Sequence, residues 1–223
     1  MKRWKILLLA AFGVAMSGFF LAIMHPPGGQ SSALGQDLPW QASIGQGGAA
    51  LTVFGLTLGE STVRDAVNKL GRRYELGVFQ GKDGLLKLEA YFRDAVVGGL
   101  NARLVLAARL PDPMLNTLRT HAGAGKPTAD GSRRYPVAET DHDLALGAVV
   151  TAITYLPVVK FDAELVRKRF GEPVERIAAE SGAHWLYPAL GLDLLLGEDG
   201  EALLQYVPPL EFEQRLWVPL RKH

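Results

Sequence analysis

The sequence predicts an α+β protein: two repeated units, each a short helix followed by an antiparallel meander, behind an N-terminal transmembrane helix. Three observations predict it. Ile6 to Met24 runs without a charged side chain. Two helix phrases, 61–71 and 161–171, recur 100 positions apart. After each phrase come short apolar or alternating runs punctuated by Gly-containing turns. The boundaries that follow are 1–25 for a membrane anchor, 26–50 for a flexible linker, 51–140 for a first unit with an extra helix and loop, and 141–223 for a second unit with a C-terminal helix.

The N-terminal segment comes first. Lys2, Arg3 and Lys5 precede the apolar run, and no Lys or Arg follows until Arg64. At ~1.5 Å rise per residue the run matches a ~30 Å hydrocarbon core. Charge on the N-terminal flank alone orients it with Met1–Lys5 in the cytoplasm. The expected location is the inner membrane, crossed once, with the C-terminal region periplasmic. The alternative is a cleaved signal and a soluble periplasmic protein, since Ala15-Met16-Ser17 is a weak small-x-small site. Retention fits better, because cleavage there would leave Gly18–Met24 as a greasy new N-terminus. The chain contains no cysteine, which excludes disulfides, thiolate metal sites and a lipid-bearing cysteine.

Residues 26–50, with Pro26-Pro27-Gly28-Gly29 and Gly45-Gln46-Gly47-Gly48, read as a tether. In the first unit, Thr62 and Asp65 form a capping box, Val63, Ala66, Val67 and Leu70 make one apolar face, and Gly71 stops the helix. Strands follow at 74–79, 85–93 and 100–107, with turns at Asp83-Gly84 and Gly98-Gly99. A further helix runs from Asp112, with Pro113 at its first position, to a stop at Gly123. Residues 125–132 are a loop, and 149–156 a strand that can pair with either unit.

In the second unit Asp162 caps a helix whose buried stripe is Leu165, Val166 and Phe170 and whose stop is Gly171. Strands follow at 174–179, 183–187, 190–196 and 202–207. From Pro209 to Trp217, acids first and Arg215 late give the charge order a helix dipole favours.

Charge narrows the partners. The whole chain carries 24 Lys+Arg and 23 Asp+Glu, a net +1. Without Lys2, Arg3 and Lys5 the remainder carries 21 against 23, a net −2. Such a surface is poor at holding a polyphosphate backbone, so nucleic acid is not an expected partner.

Candidate chemistry is sparse. Asp141, His142 and Asp143 offer carboxylate and imidazole ligands, but no second His or Glu pair lies nearby in sequence, and a polar cap before Leu144 accounts for them. His121 closes a helix, where a cation suits the dipole. With 141–143 it forms the alternative site, that of a small enzyme or ligand binder. His121 and His184, each isolated in sequence, could act with Ser132 or Ser181, but neither serine has the Gly-x-Ser-x-Gly setting of a nucleophile elbow. Gly123–Thr128 fails as a phosphate loop, because Pro127 follows Lys126 and removes an N–H. No metal or cofactor is expected. Tyr91, Trp185, Tyr187 and Tyr206 lie on expected strands. They serve either as protein-contact anchors or as packing for the sheet's own helices.

Phe54-Gly55-Leu56-Thr57-Leu58-Gly59, Leu70-Gly71, Val166-x-x-x-Phe170-Gly171-Glu172-Pro173 and Trp185-x-Tyr187 carry a resemblance to the periplasmic α+β modules of the SmpA/OmlA (BamE-like) and β-lactamase-inhibitor-protein-like group. The resemblance implies a duplicated non-catalytic module acting through protein contacts in the cell envelope. This chain departs from the lipoprotein members in having no lipid-bearing cysteine. The expected function is therefore a membrane-anchored periplasmic interaction module. Its partners would be the inner membrane through residues 6–24 and an envelope protein.

Overall fold

The computed structural model describes residues 42–45, 50–97, 100–129 and 131–221. Its centre is one ten-stranded, wholly antiparallel sheet. The strands are β4 (Tyr74–Gln80), β5 (Leu86–Val97), β6 (Leu100–Arg109), β7 (Lys126–Pro127), β8 (Arg133–Pro136), β9 (Val149–Pro157), β10 (Glu175–Ala179), β11 (Gly182–Tyr187), β12 (Leu192–Gly197) and β13 (Ala202–Tyr206). Their order across the sheet is β10-β11-β12-β13-β9-β6-β5-β4-β8-β7. A separate three-stranded sheet is made by β1 (Ser43–Ile44), β2 (Leu51–Val53) and β3 (Leu56–Thr57). The helices are α1 (Val63–Leu70), α2 (Asp112–His121), α3 (His142–Leu146) and α4 (Ala163–Phe170). A one-turn π-helix (Glu213–Trp217) and α5 (Val218–Leu220) close the described chain.

This corrects the expected fold class. The strands after α1 and those after α4 do not make two units, because β9 pairs with β6 on one side and β13 on the other. That joint turns everything into one sheet. The core ignores the expected boundary at 140. Val63 and Ala66 of α1, Leu118 of α2, Ala145 of α3 and Val166 of α4 belong to one buried cluster with Leu104, Ile153, Leu194 and Leu204 of the strands. The physical cause is edge pairing. Two short meanders each leave an open row of N–H and C=O groups, and joining them satisfies both.

The membrane topology is corrected too. Residues 6–24, expected to span the membrane, lie outside the described residues. Among the described residues no helix is long and apolar enough to cross a membrane. The longest, α2, has 10 residues. No described helix supplies the span that the single-pass inner-membrane topology requires. Smaller differences follow the same logic. Ser43 and Ile44, expected in a tether, pair with Thr52 and Leu51. The loop expected at 125–132 contains β7, which pairs with β8, and β8 pairs with β4. The C-terminal helix breaks into 3₁₀, π and α turns, since Pro219 cannot donate an N–H to a regular ladder.

The sheet has two unlike faces. The first, with Leu88, Ala90, Leu104, Leu106, Leu194 and Leu204, is covered by the helices and the small sheet. On the second, Phe212, Leu216 and Leu220 cover Ala152, Leu186 and Val207.

Local caps hold α1 against its face. Asp65 accepts the Thr62 N–H at 2.8 Å and the Thr62 hydroxyl at 2.7 Å, while the Asp65 N–H donates to Thr62 Oγ1 at 3.2 Å. The backbone and hydroxyl bonds from Thr62 hold the Asp65 carboxyl below its ordinary range. A carboxylate depressed by folding stabilises above its unfolded pKa and loses that contribution as pH falls through the folded one. Thr62→Ala is expected to cost about 0.5–2 kcal/mol, read by urea unfolding at neutral pH. The gap between the variant and the parent should narrow in acid below the carboxylate range. A gap that widens there would contradict this account of the cap.

Candidate protein-binding edge

The two ends of a ten-stranded open sheet expose unpaired backbone, and this chain treats them differently. At one end β7 is two residues long and one of them is Pro127, which has no N–H to offer. At the other end β10, Glu-Arg-Ile-Ala-Ala, has no proline and pairs residue for residue with β11 from Glu175↔Leu186 to Ala179↔Gly182. Among the described residues no strand pairs with its outer side. One edge is blunted and the other is open.

The chain around β10 is fixed from both sides. Gly171, at φ +82°, ends α4, and Pro173 keeps the helix from resuming. Glu180-Ser181 forms the two-residue turn into β11. Across the first face Arg176 lies 4.0 Å over the Trp185 ring, and Arg167 of α4 lies 5.4 Å from it. Glu172 ties these arginines together, at 3.1 Å from Arg167 and 2.9 Å from Arg176. The Tyr187 hydroxyl donates to the Gly171 carbonyl at 3.1 Å, and burial pushes its pKa up to about 12. Across the second face the Trp217 indole N–H and Arg221, at 2.8 Å, both donate to the Glu175 carboxylate. Those two bonds, that from Arg221 first, hold Glu175 below the usual carboxylate range.

Behind this edge lies a buried pair that the sequence did not signal. His184 Nδ1 sits 2.9 and 3.0 Å from the two carboxylate oxygens of Asp193, and their side chains are 6% and 0% exposed. The β11–β12 register puts His184 opposite Leu195 and Leu186 opposite Asp193. His184 and Asp193 are therefore diagonal neighbours on one face. Gln205, directly across from Asp193 on β13, is buried beside them.

The four aromatics, expected either as contact anchors or as packing for the sheet's own helices, are all buried. Tyr91 is 2% exposed, Trp185 5%, Tyr187 4% and Tyr206 0%. Trp185, Tyr187 and Tyr206 belong to the main core, and Tyr91 points to the opposite face from its neighbours Ala90 and Phe92. Helices α1 to α4 cover the face that carries Trp185, Tyr187 and Tyr206, while Tyr91 is buried on the other. Phe170, expected as a buried helix end, is only partly buried and stacks on Tyr187 at 5.8 Å between centroids.

The alternative site is assembled in part. His121 Nδ1 lies 2.9 Å from Asp141. Asp143 instead pairs with Arg64 at 2.9 Å. No hydrogen bond or ion pair connects His142 to His121 or to either aspartate. Residues 139–146 form a 3₁₀ turn and α3 rather than a loop, which turns 142 and 143 away from a common point. Among the described residues no three His, Asp or Glu side chains could hold a metal ion. His142→Ala is expected to change stability by less than about 0.5 kcal/mol, measured by thermal unfolding. A loss of cellular phenotype at normal protein level would redirect attention to 141–143.

A cleft of about 480 Å³ opens between β5, β6 and the C-terminal turns, lined by Glu89, Arg109, Asp112, Thr151 and Arg215 among others. Its charges alternate in sign, and Arg215 is engaged by Glu211 at 2.7 Å and by the Thr151 carbonyl at 3.0 Å. No single ligand charge is selected there.

No family model matches the chain, and no curated protein or solved structure matches it either.

Proposed function

We propose that this chain is a non-catalytic protein-binding module that takes its partner by strand addition at β10. The observation that supports it is the contrast between the sheet's edges. Folded proteins protect long sheet edges because an open one templates pairing with another chain. Here β7 carries that protection and β10 does not. In strand addition the partner's backbone supplies the hydrogen bonds and alternate side chains supply selectivity. On β10 the exposed side chains are Arg176 and Ala178, while Ile177 and Ala179 are partly covered. A partner strand thus meets a small, low edge flanked by a fixed arginine.

The test is a photo-crosslinking amino acid at Ala178 in the full chain in cells, with the same residue at Lys126 on the blunted edge as control. Adducts to a polypeptide are expected from 178 and not from 126. No adduct from 178, or equal adducts from both edges, would end this reading.

A further inference from the structure

We propose that the occupant of the β10 edge is the β10 edge of a second copy of this chain, paired antiparallel about a two-fold axis through Ala178. The proposal rests on the strand-addition reading and names its partner.

The argument is self-complementarity. In a symmetric antiparallel pair with Ala178 opposite itself, Ile177 faces Ala179 of the other copy, and Arg176 comes beside its Glu180, the first residue of the turn that follows β10. Directly opposed residues share a face of the sheet, so each contact occurs twice. The axis falls on an alanine, exposed and small enough for close approach. The apolar pair is large against small. The charged pair is opposite in sign, and among the described residues Glu180 has no ion-pair partner. Arg176 uses one terminal nitrogen on Glu172, and a guanidinium has further N–H groups to give. A shift of the axis to Ile177 would set Arg176 beside Ala178 and take Glu180 away from it. Charge therefore selects the register.

Strand meets strand only over 177–179, with Glu180 in the turn, so the contact is small beside the ~1,000 Å² that a lasting interface clears. The dimer is accordingly weak, and a covalent trap is the right probe. The chain has no cysteine, so Ala178→Cys introduces the sole thiol. Opposed residues in an antiparallel pair have Cα atoms about 4.5 or 5.5 Å apart, within the range a disulfide spans. Under mild oxidation the full chain carrying Ala178→Cys is expected to form a disulfide dimer. Leu210→Cys, at a residue 72% exposed and outside β10, measures random collision and is expected to lag far behind.

On the Ala178→Cys background, Glu180→Arg is expected to weaken association about 5–30-fold by setting like charges opposite twice. Arg176→Glu should do the same, and the two together should restore crosslinking. Thermal unfolding of each variant separates lost association from lost fold. Glu180, exposed and at a turn, is the substitution least able to disturb the fold.

Crosslinking at 178 no faster than at 210, or a double swap that fails to rescue, overturns the second-copy assignment. If position 178 still captures another polypeptide in cells, the strand-addition reading survives that result. If it captures none, both fall.

Discussion

Asp193→Ala should cost about 3–5 kcal/mol of folding stability, because it leaves His184 buried without the carboxylate that satisfies it. Both residues sit inside the sheet's second face, where water does not replace a lost partner. Against a typical total of ~5–15 kcal/mol, that loss depletes the folded protein. Urea unfolding of parent and variant reads it directly. The informative companion is the double variant His184→Leu/Asp193→Leu. Removing both polar groups removes the unmet demand, so the double variant should recover much of the loss. A single variant costing under about 1 kcal/mol would mean that water reaches the pair, and the burial argument would fail.

Gly191→Ala is expected to cost a comparable amount, about 2–5 kcal/mol, from two additive sources. Gly191 has φ +59°, and a Cβ there would lie 2.0 Å from the Val207 carbonyl oxygen. The Gly191 carbonyl also accepts the Val207 N–H at 2.9 Å, so backbone meets backbone and no flexible side chain can give way. The strand ends of β12 and β13 must separate to admit a methyl group. Thermal unfolding tests this, and Gly84→Ala is a matched control. Gly84 has φ +81° with nothing within 4 Å of the added carbon, so it reports the conformational part alone. Equal losses at both positions would show that close approach contributes nothing at 191.

The helices were legible where the signal is local. Thr62, Asp65 and Gly71 bracket α1 through bonds between residues three or four apart. Asp162 caps α4 by accepting the Leu165 N–H at 2.7 Å, and Gly171 ends it. The C-terminal Pro209–Trp217 helix was not legible in form, because the charge order fits any helical winding and does not separate an α turn from a π turn. The β11–β12 hairpin was half legible. Its two strands were expected, but no turn was read between them, and the register that places His184 beside Asp193 depends on that turn. Without a known register, a histidine and an aspartate nine residues apart look unrelated.

Sequence by itself determined the short-range matters: where helices start and stop, where strands break at glycine, and that no thiol chemistry is available. Tertiary structure alone decided three things. It joined the two runs of strands through β9 and β13, because hydrogen bonds between strands far apart in the chain leave no local trace. It turned Trp185, Tyr187 and Tyr206 inward, since an alternating pattern fixes which residues share a face but not which face a helix covers. And it left β10 open while Pro127 closed the far end, a distinction that exists only once strand order makes some strands edges and others interior.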